Sequence, residues 1–259
     1  MAHAVEVMRL EMAFPGRGKG PPIRVLDGVD LAVPRGQFCT IVGPSGCGKS
    51  TMLNIIAGLI PPVAGEVRIF GERSQGINRR IGYMFQKDTL LPWASALQNV
   101  KLPMEAAGRG DGRADETARS LLQLVGLRGF DQHFPRELSG GMRKRVQLAR
   151  LLAQEPEIVL LDEPFGALDA QTKLILQEEF LRLWEQRRQT VMFVTHDLQE
   201  AIALGDRVIL FSARPGRIKG DWTVDLPRPR RMAEVLENPR FTQLFREIWG
   251  SLREEVTLL

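Results

Sequence analysis

The short apolar run Phe38-Cys39-Thr40-Ile41-Val42 leads directly into Gly43-Pro44-Ser45-Gly46-Cys47-Gly48-Lys49-Ser50-Thr51. That nonapeptide fits the pattern G-x-x-x-x-G-K-[ST]. Residues 52–59 then continue as a helix. A buried strand, a glycine-rich turn and a helix in this order constrain the chain more than any other feature. The glycines let the backbone curl so that successive N–H groups face phosphate oxygens. The helix that follows offers its positive end to the same anion. Lys49 is placed to reach the β- and γ-phosphates of a nucleoside triphosphate, and the Ser50 hydroxyl to ligate Mg²⁺.

A second apolar run, Ile158-Val159-Leu160-Leu161, ends in Asp162-Glu163. A buried strand closing on Asp162 can hold Mg²⁺ through water. Glu163 would then face the γ-phosphate and take a proton from an attacking water. A solvated acidic turn is the plain alternative, and the upstream phosphate loop favours the catalytic one.

Around these two features the pattern is α/β. Residues 5–14 alternate like a strand, 15–22 read as a Gly/Pro loop, and 25–33 as further strand, together a small antiparallel sheet. Residues 65–70 and 81–85 read as strands. From 88 to 154 the character changes: 113–124 and 140–153 carry helical patterns and no strand stands between them. Strand and helix then alternate through 158–161, 170–188, 191–195, 198–204 and 208–211, which predicts a mostly parallel sheet with helices on its faces. Phe241, Leu244, Phe245, Ile248, Trp249 and Leu252 fall at helical spacing; with both charge signs on the polar face, the tail is expected to pack on its own domain.

With 259 residues, 44% of them hydrophobic, the chain can bury a sizeable core. A net charge of +4 gives no nucleic-acid stripe. Cys39 and Cys47 are the only cysteines and are expected to be reduced thiols in a cytosolic protein. No apolar run approaches the roughly 20 residues that span a bilayer, and residues 1–10 lack a signal-peptide core.

Leu138-Ser139-Gly140-Gly141-Met142 precedes another helical run. Ser139 is a candidate N-cap, and the glycines permit close approach to an anion. Alone this is an ordinary capped helix. Set between the phosphate loop and the Asp162-Glu163 strand, it resembles the signature of ATP-binding cassette (ABC) ATPases, and the resemblance runs from about residue 5 to 211.

The resemblance implies an α/β fold: a P-loop NTPase (RecA-like) core, an N-terminal antiparallel β subdomain and an inserted helical subdomain. It implies a single ABC ATPase domain over 1–259, with the helical subdomain at about 88–155 and a helical tail at about 228–259. ATP and Mg²⁺ are the expected cofactors. Phe14 matches the aromatic loop that stacks on adenine. Gln86 matches the glutamine loop that contacts Mg²⁺ or the attacking water. Asp169 matches the loop that crosses to the other subunit, and His196 the switch histidine at the γ-phosphate. Ser139, Gly140 and Gly141 would complete the nucleotide site of a second copy in trans. Met142 stands where Gln is common, and Lys144 where Gln often stands, with a polar contact to the partner's nucleotide expected to weaken.

One phosphate loop and no membrane-spanning segment exclude fused exporters and two-cassette proteins. Leu90-Leu91-Pro92-Trp93, Gln98-Asn99-Val100, Pro164-Phe165-Gly166-Ala167-Leu168-Asp169 and Ala213-Arg214-Pro215-Gly216-Arg217-Ile218 resemble the nitrate/sulfonate/taurine importer branch. This implies a peripheral subunit on the cytoplasmic face of the inner membrane, paired with a second copy, an integral membrane permease and a periplasmic or lipoprotein solute-binding protein, without nucleic acid. Residues 88–100, with Leu91 and Trp93 exposed, would face the permease; ordinary packing of Leu91 and Trp93 within the helical subdomain is the alternative. Arg228-Pro229-Arg230-Arg231 reads as a solvated turn. An exporter or lipid-trafficking subunit, and a non-transport ABC ATPase, are the rival readings.

Overall fold

In the computed structural model the described residues are 3–16, 18, 20–110, 112–166 and 168–257. Two sheets organise them. Strands β1 (His3–Phe14) and β2 (Ile23–Pro34) pair antiparallel. Strand β3 (Phe38–Val42) enters the second sheet and feeds α1 (Lys49–Ile56). Strands β4 (Ala64–Ile69) and β5 (Glu72–Arg73) return to the first sheet, giving the order β2-β1-β4-β5. Next come β6 (Ile81–Met84), α2 (Ala96–Ala106), α3 (Arg113–Leu124), a 3₁₀ turn (Pro135–Glu137) and α4 (Gly140–Gln154). The chain continues through β7 (Ile158–Asp162), α5 (Ala170–Arg187), β8 (Thr190–Val194), α6 (Leu198–Leu204), β9 (Arg207–Phe211) and β10 (Ile218–Thr223). It ends with α7 (Met232–Glu237) and α8 (Pro239–Thr257). The second sheet runs β10-β9-β3-β8-β7-β6, parallel except for β10.

Every residue of β3, β7 and β8 is buried, because both faces of this sheet are covered. That is why these strands read as continuous apolar runs. Phe38, Leu161 and Phe193 belong to a core shared with the helices 96–204 and α8. Cys39, Ile41, Leu160 and Met192 point the other way, to a core with α1 and the antiparallel sheet. The phosphate loop therefore leaves the sheet from between two packed layers.

Helix α1 begins at Lys49 and ends at Ile56, so the expected span of 52–59 shifts. Gly58 has φ of 74° and its N–H bonds Ile55 O, while Leu59 N–H bonds Asn54 O. This is a glycine-terminated helix end, and it stops the helix before Leu59. Tail helix α8 buries Phe241, Leu244, Ile248 and Leu252 against the domain, as its mixed-sign polar face suggested.

In the run 228–231, Pro229 and Arg231 are exposed as a solvated turn requires, but Arg228 and Arg230 are not solvated. Arg230 is buried, and its guanidinium donates to the carbonyls of Ile202 (3.4 Å), Ala203 (3.1 Å), Gly205 (2.6 Å), Val224 (3.3 Å) and Leu226 (3.2 Å). Arg228 donates to Leu204 O at 2.7 Å and pairs with Asp206 and Glu185. The last carbonyls of α6 have no partner within their helix, and the two arginines supply donors and positive charge there. Burial lowers the Arg230 pKa to about 10, which leaves it charged at neutral pH.

Candidate nucleotide site

Four parallel strands deliver the site. Ile41 pairs with Val194, Asp162 with Val194, and Met84 with Leu161, so β3, β8, β7 and β6 finish at one edge of the sheet. At or just beyond these strand ends stand Gly43, Thr195-His196, Asp162-Glu163 and Gln86. Chemistry in an open parallel sheet gathers at this carboxyl edge.

Gly48 caps α1 with φ of 107°, and a Cβ there would lie 2.7 Å from Leu26 Cδ2. Only glycine lets the loop turn this tightly against β2. Lys49 Nζ donates to the Gly43 and Pro44 carbonyls at 2.7 and 2.9 Å. Its ammonium is thereby held inside the curve of the loop. Ser50 Oγ donates to Asp162 Oδ1 at 3.0 Å, which joins the loop to the acidic strand end across the sheet. Burial pushes the Asp162 carboxyl up, against the pull of the Ser50 hydroxyl. A hydroxyl beside a buried carboxylate fits Mg²⁺, whose remaining ligands come from phosphates and water. Among the described residues no cluster of three His, Cys, Asp or Glu could hold a metal without such help.

Glu163 sits in the left-handed region, φ 48°, directly after its strand. A non-glycine residue held there costs about 1–3 kcal/mol and is characteristic of functional sites. Its carboxylate accepts from Gln86 Nε2 at 2.9 Å and lies 3.5 Å from His196 Nδ1. The structure thus brings Gln86, Glu163 and His196 together. A cavity of about 360 Å³ opens beside them, lined by Phe14, Ile23, Val25, Ser45, Gly46, Gly48, Lys49, Ser50, Thr51, Gln86, Glu163 and Arg214. Phe14, 39% exposed, stands on its wall. Cys47 is buried beneath the loop and burial raises its thiol pKa; Cys39 is buried in β3 and pushed up to about 12. Both are free thiols of low reactivity.

Ser139, Gly140 and Gly141 do not reach this cavity. Ser139 Oγ accepts from Met142 N–H at 3.2 Å and caps α4, with Ser139 and Gly140 exposed. Asp169 likewise caps α5 through Thr172 N–H at 3.0 Å, and that bond lowers its pKa. Ala167 lies outside the described residues.

Two features escaped sequence reading. Lys144 does not face outward: it is buried, and Nζ donates to the Phe85 carbonyl (3.0 Å) and to the Gln86 carbonyl. Arg143, Gln147 and Arg150 add bonds to Asp88 and Thr89, so one side of α4 grips the segment that carries Gln86. Lys144→Met is expected to lower kcat several-fold with little change in ATP affinity, measured by steady-state kinetics and equilibrium binding. Equal losses in both would show a general packing role instead. The second feature is Arg214, whose place on the cavity wall came only from the fold.

A lysine-bearing glycine loop on a parallel strand, an acidic strand end bonded to its serine, and a glutamate beyond it held by Gln86 define a phosphate-loop nucleoside triphosphatase. Comparison with known proteins narrows the class. Residues 26–166 match the family described as ABC transporter. An uncharacterized ABC transporter ATP-binding protein, MJ0412, of Methanocaldococcus jannaschii is 45% identical over 237 residues, 92% of this chain and 87% of that one. The aliphatic sulfonates import ATP-binding protein SsuB of Bacillus cereus is 43% identical over 208 residues, 80% of this chain and 82% of its own. A dimeric post-hydrolysis structure of the ATP-binding cassette MJ0796, bound to ADP and Pi, superposes with a TM-score of 0.79 at 35% identity, covering 86% of this chain and all of that one. The chain belongs to the ABC transporter ATP-binding family and is an ATPase of that family. No helix among the described residues is long and apolar enough to cross a membrane.

Proposed function

We propose that this protein is the ATP-hydrolysing subunit of an importer, driving uptake of a small anionic solute of nitrate, sulfonate or taurine type through a separate permease. We also assign it one ABC domain over 1–259, with a helical subdomain near 88–155 and a helical tail near 228–259, on the cytoplasmic face of the inner membrane. Lys49 and the loop N–H groups hold the triphosphate. Glu163 accepts the proton of the attacking water, and Gln86 and His196 fix that carboxylate and the γ-phosphate end. Mg²⁺, held by Ser50 and, through water, by Asp162, with Gln86 near, would neutralise charge building on the transferred phosphoryl group. Phe14 stacks on adenine. Ser139, Gly140, Gly141 and Asp169 of a second copy close the site, and this second copy is required because the signature helix end opens away from its own phosphate loop.

The observation that carries the importer reading is the surface near 88–100. A cavity of about 610 Å³ runs between the 96–109 region and the sheet edge and includes Ile77, Thr89, Leu102 and Arg150. Trp93, on the same 88–100 segment as Thr89, is 73% exposed, while Leu91, expected to be exposed, is half-buried and its N–H donates to Asn99 Oδ1 at 2.8 Å. An exposed Ile77 in the lining of this groove and an exposed Trp93 on the 88–100 segment suit an inserted helix of a membrane partner. The likeness to the sulfonate importer subunit supports the same reading and the solute class.

Purification of the intact membrane assembly tests it. The protein is expected to co-extract in detergent with an integral membrane partner, and a sulfonate, nitrate or taurine with its binding protein to stimulate ATPase activity. Trp93→Ala should weaken that complex while the free chain binds ATP normally. Extraction that yields no integral membrane partner would remove the importer assignment in favour of a soluble-partner ATPase.

A further inference from the structure

The turn 212–217, between β9 and β10, is pressed onto the phosphate loop. Gly216 donates its N–H to Val25 O at 2.8 Å and accepts from Asp27 N–H at 3.1 Å, joining the turn to β2. A Cβ on Gly216 would lie 2.1 Å from the Cys47 carbonyl, so the two backbones touch. Arg217 pairs with Asp27. From the other side comes α8. Its buried Glu255 accepts from Ala213 N–H at 2.6 Å and pairs with Lys219 Nζ at 2.6 Å. The backbone on both sides of Arg214 is therefore fixed.

Arg214 leans from this turn onto the loop. Its Nε and Nη2 donate to the Gly46 carbonyl at 3.1 and 2.9 Å. That leaves Nη1 and part of Nη2 unused. Among the described residues no carboxylate stands within ion-pair distance of this guanidinium, unlike Arg217 next to it. The side chain is exposed on the cavity wall shared with Phe14, Ser45 and Lys49. A guanidinium without a counter-charge, oriented by a fixed turn at the mouth of an anion site, is built to meet an anion there.

We infer that Arg214 binds the phosphate tail of the nucleotide from the outer wall of the cavity, and that Glu255 of the C-terminal helix positions it through the turn 212–217. The inference rests on residues 43–51 being the phosphate site. It gives α8, otherwise a packing helix, a part in nucleotide affinity.

The test uses full-length protein and equilibrium titration with ATP, ADP and adenosine. Arg214→Gln can keep a donor for Gly46 O near the Nε position and loses the charge together with the Nη donors. It is expected to weaken ATP binding about tenfold, as loss of one charge-assisted hydrogen bond does in a partly exposed site. Adenosine binding should not change, Arg214→Lys should recover part of the loss, and the difference from wild type should shrink with added salt. Glu255→Gln should give a smaller loss of the same kind. Arg214→Gln binding ATP as tightly as wild type overturns the inference. So does an equal loss for adenosine, which would mean a distorted cavity, or a loss confined to dimer formation, which would mean the guanidinium faces the second copy. Lys49→Ala is run beside them: if it still binds ATP normally, the phosphate-site assignment fails, independently of the result at Arg214.

Discussion

Glu163→Gln should retain ATP binding and lose turnover by about 10²–10⁴-fold, the usual worth of a positioned general base. The substitution keeps the size and the hydrogen-bonding reach of the side chain. Gln86 Nε2, now 2.9 Å from a carboxylate oxygen, can still donate to the amide oxygen. What disappears is the group proposed to take a proton from water. Because the γ-phosphate then persists, a dimer loaded with ATP should accumulate, visible by size-exclusion chromatography with ATP and absent with ADP. Normal turnover in this variant would remove Glu163 as the base and point to another acceptor, with His196 the nearest candidate at 3.5 Å from the same carboxylate. The left-handed backbone at Glu163 makes the prediction sharper: a strained residue whose side chain did no chemistry would be a cost without a return.

Arg230→Met should destabilise the fold by about 3 kcal/mol or more, since its loss strands buried carbonyls that each cost about 1–3 kcal/mol when unpaired. In a domain of this size that lowers the midpoint of thermal unfolding by about 6–12 °C. The carbonyls of Ile202, Ala203 and Gly205 close the end of α6, and α6 begins at the Asp197 cap, next to His196. The helix is further tied at its start: Glu200 accepts from the hydroxyl of Thr195 and from Gln177 of α5, while Lys173 of α5 pairs with Asp197. A loss at Arg230 should therefore reach the His196 end of the site through α6, and reduced ATPase activity at temperatures well below unfolding would show it. A midpoint within a degree or two of wild type would mean that water replaces the guanidinium.

These two residues differ in how far the chain itself announces them. Glu163 follows four apolar residues and an aspartate, and a buried strand ending in carboxylates has few uses beside a phosphate loop. Arg230 sits in a run of three arginines and two prolines between Leu226 and Met232, which has the composition of a solvated turn. Its role depends on where the end of α6 falls, more than twenty residues earlier, and nothing local encodes that meeting. The role of Lys144 was not legible for a related reason. Its position on α4 turns it toward the carbonyls beyond β6, a meeting that the run 138–145 does not encode. Helix α1 was displaced at both ends: Gly48-Lys49-Ser50-Thr51 reads as loop until Gly48 is seen to act as the cap, and Gly58 stops the helix before Leu59.

The sequence by itself determined the elements and the chemistry they can carry. Residues 38–51, 138–142 and 158–163 specify strand, turn and helix end through local rules: apolar runs for strands buried on both faces, glycines where the backbone must curl, Ser139 where a helix needs a cap. What only the tertiary structure decided is which of these meet. The order β3-β8-β7-β6 puts Asp162 within a hydrogen bond of Ser50 and Gln86 within one of Glu163, across gaps of 112 and 77 residues. The same fold leaves Ser139 facing outward and carries Arg214 and Glu255 to the phosphate loop. Contacts of that range depend on the sheet order and on how each helix is rotated against its neighbours, and those are set by packing the whole core at once rather than by any one segment.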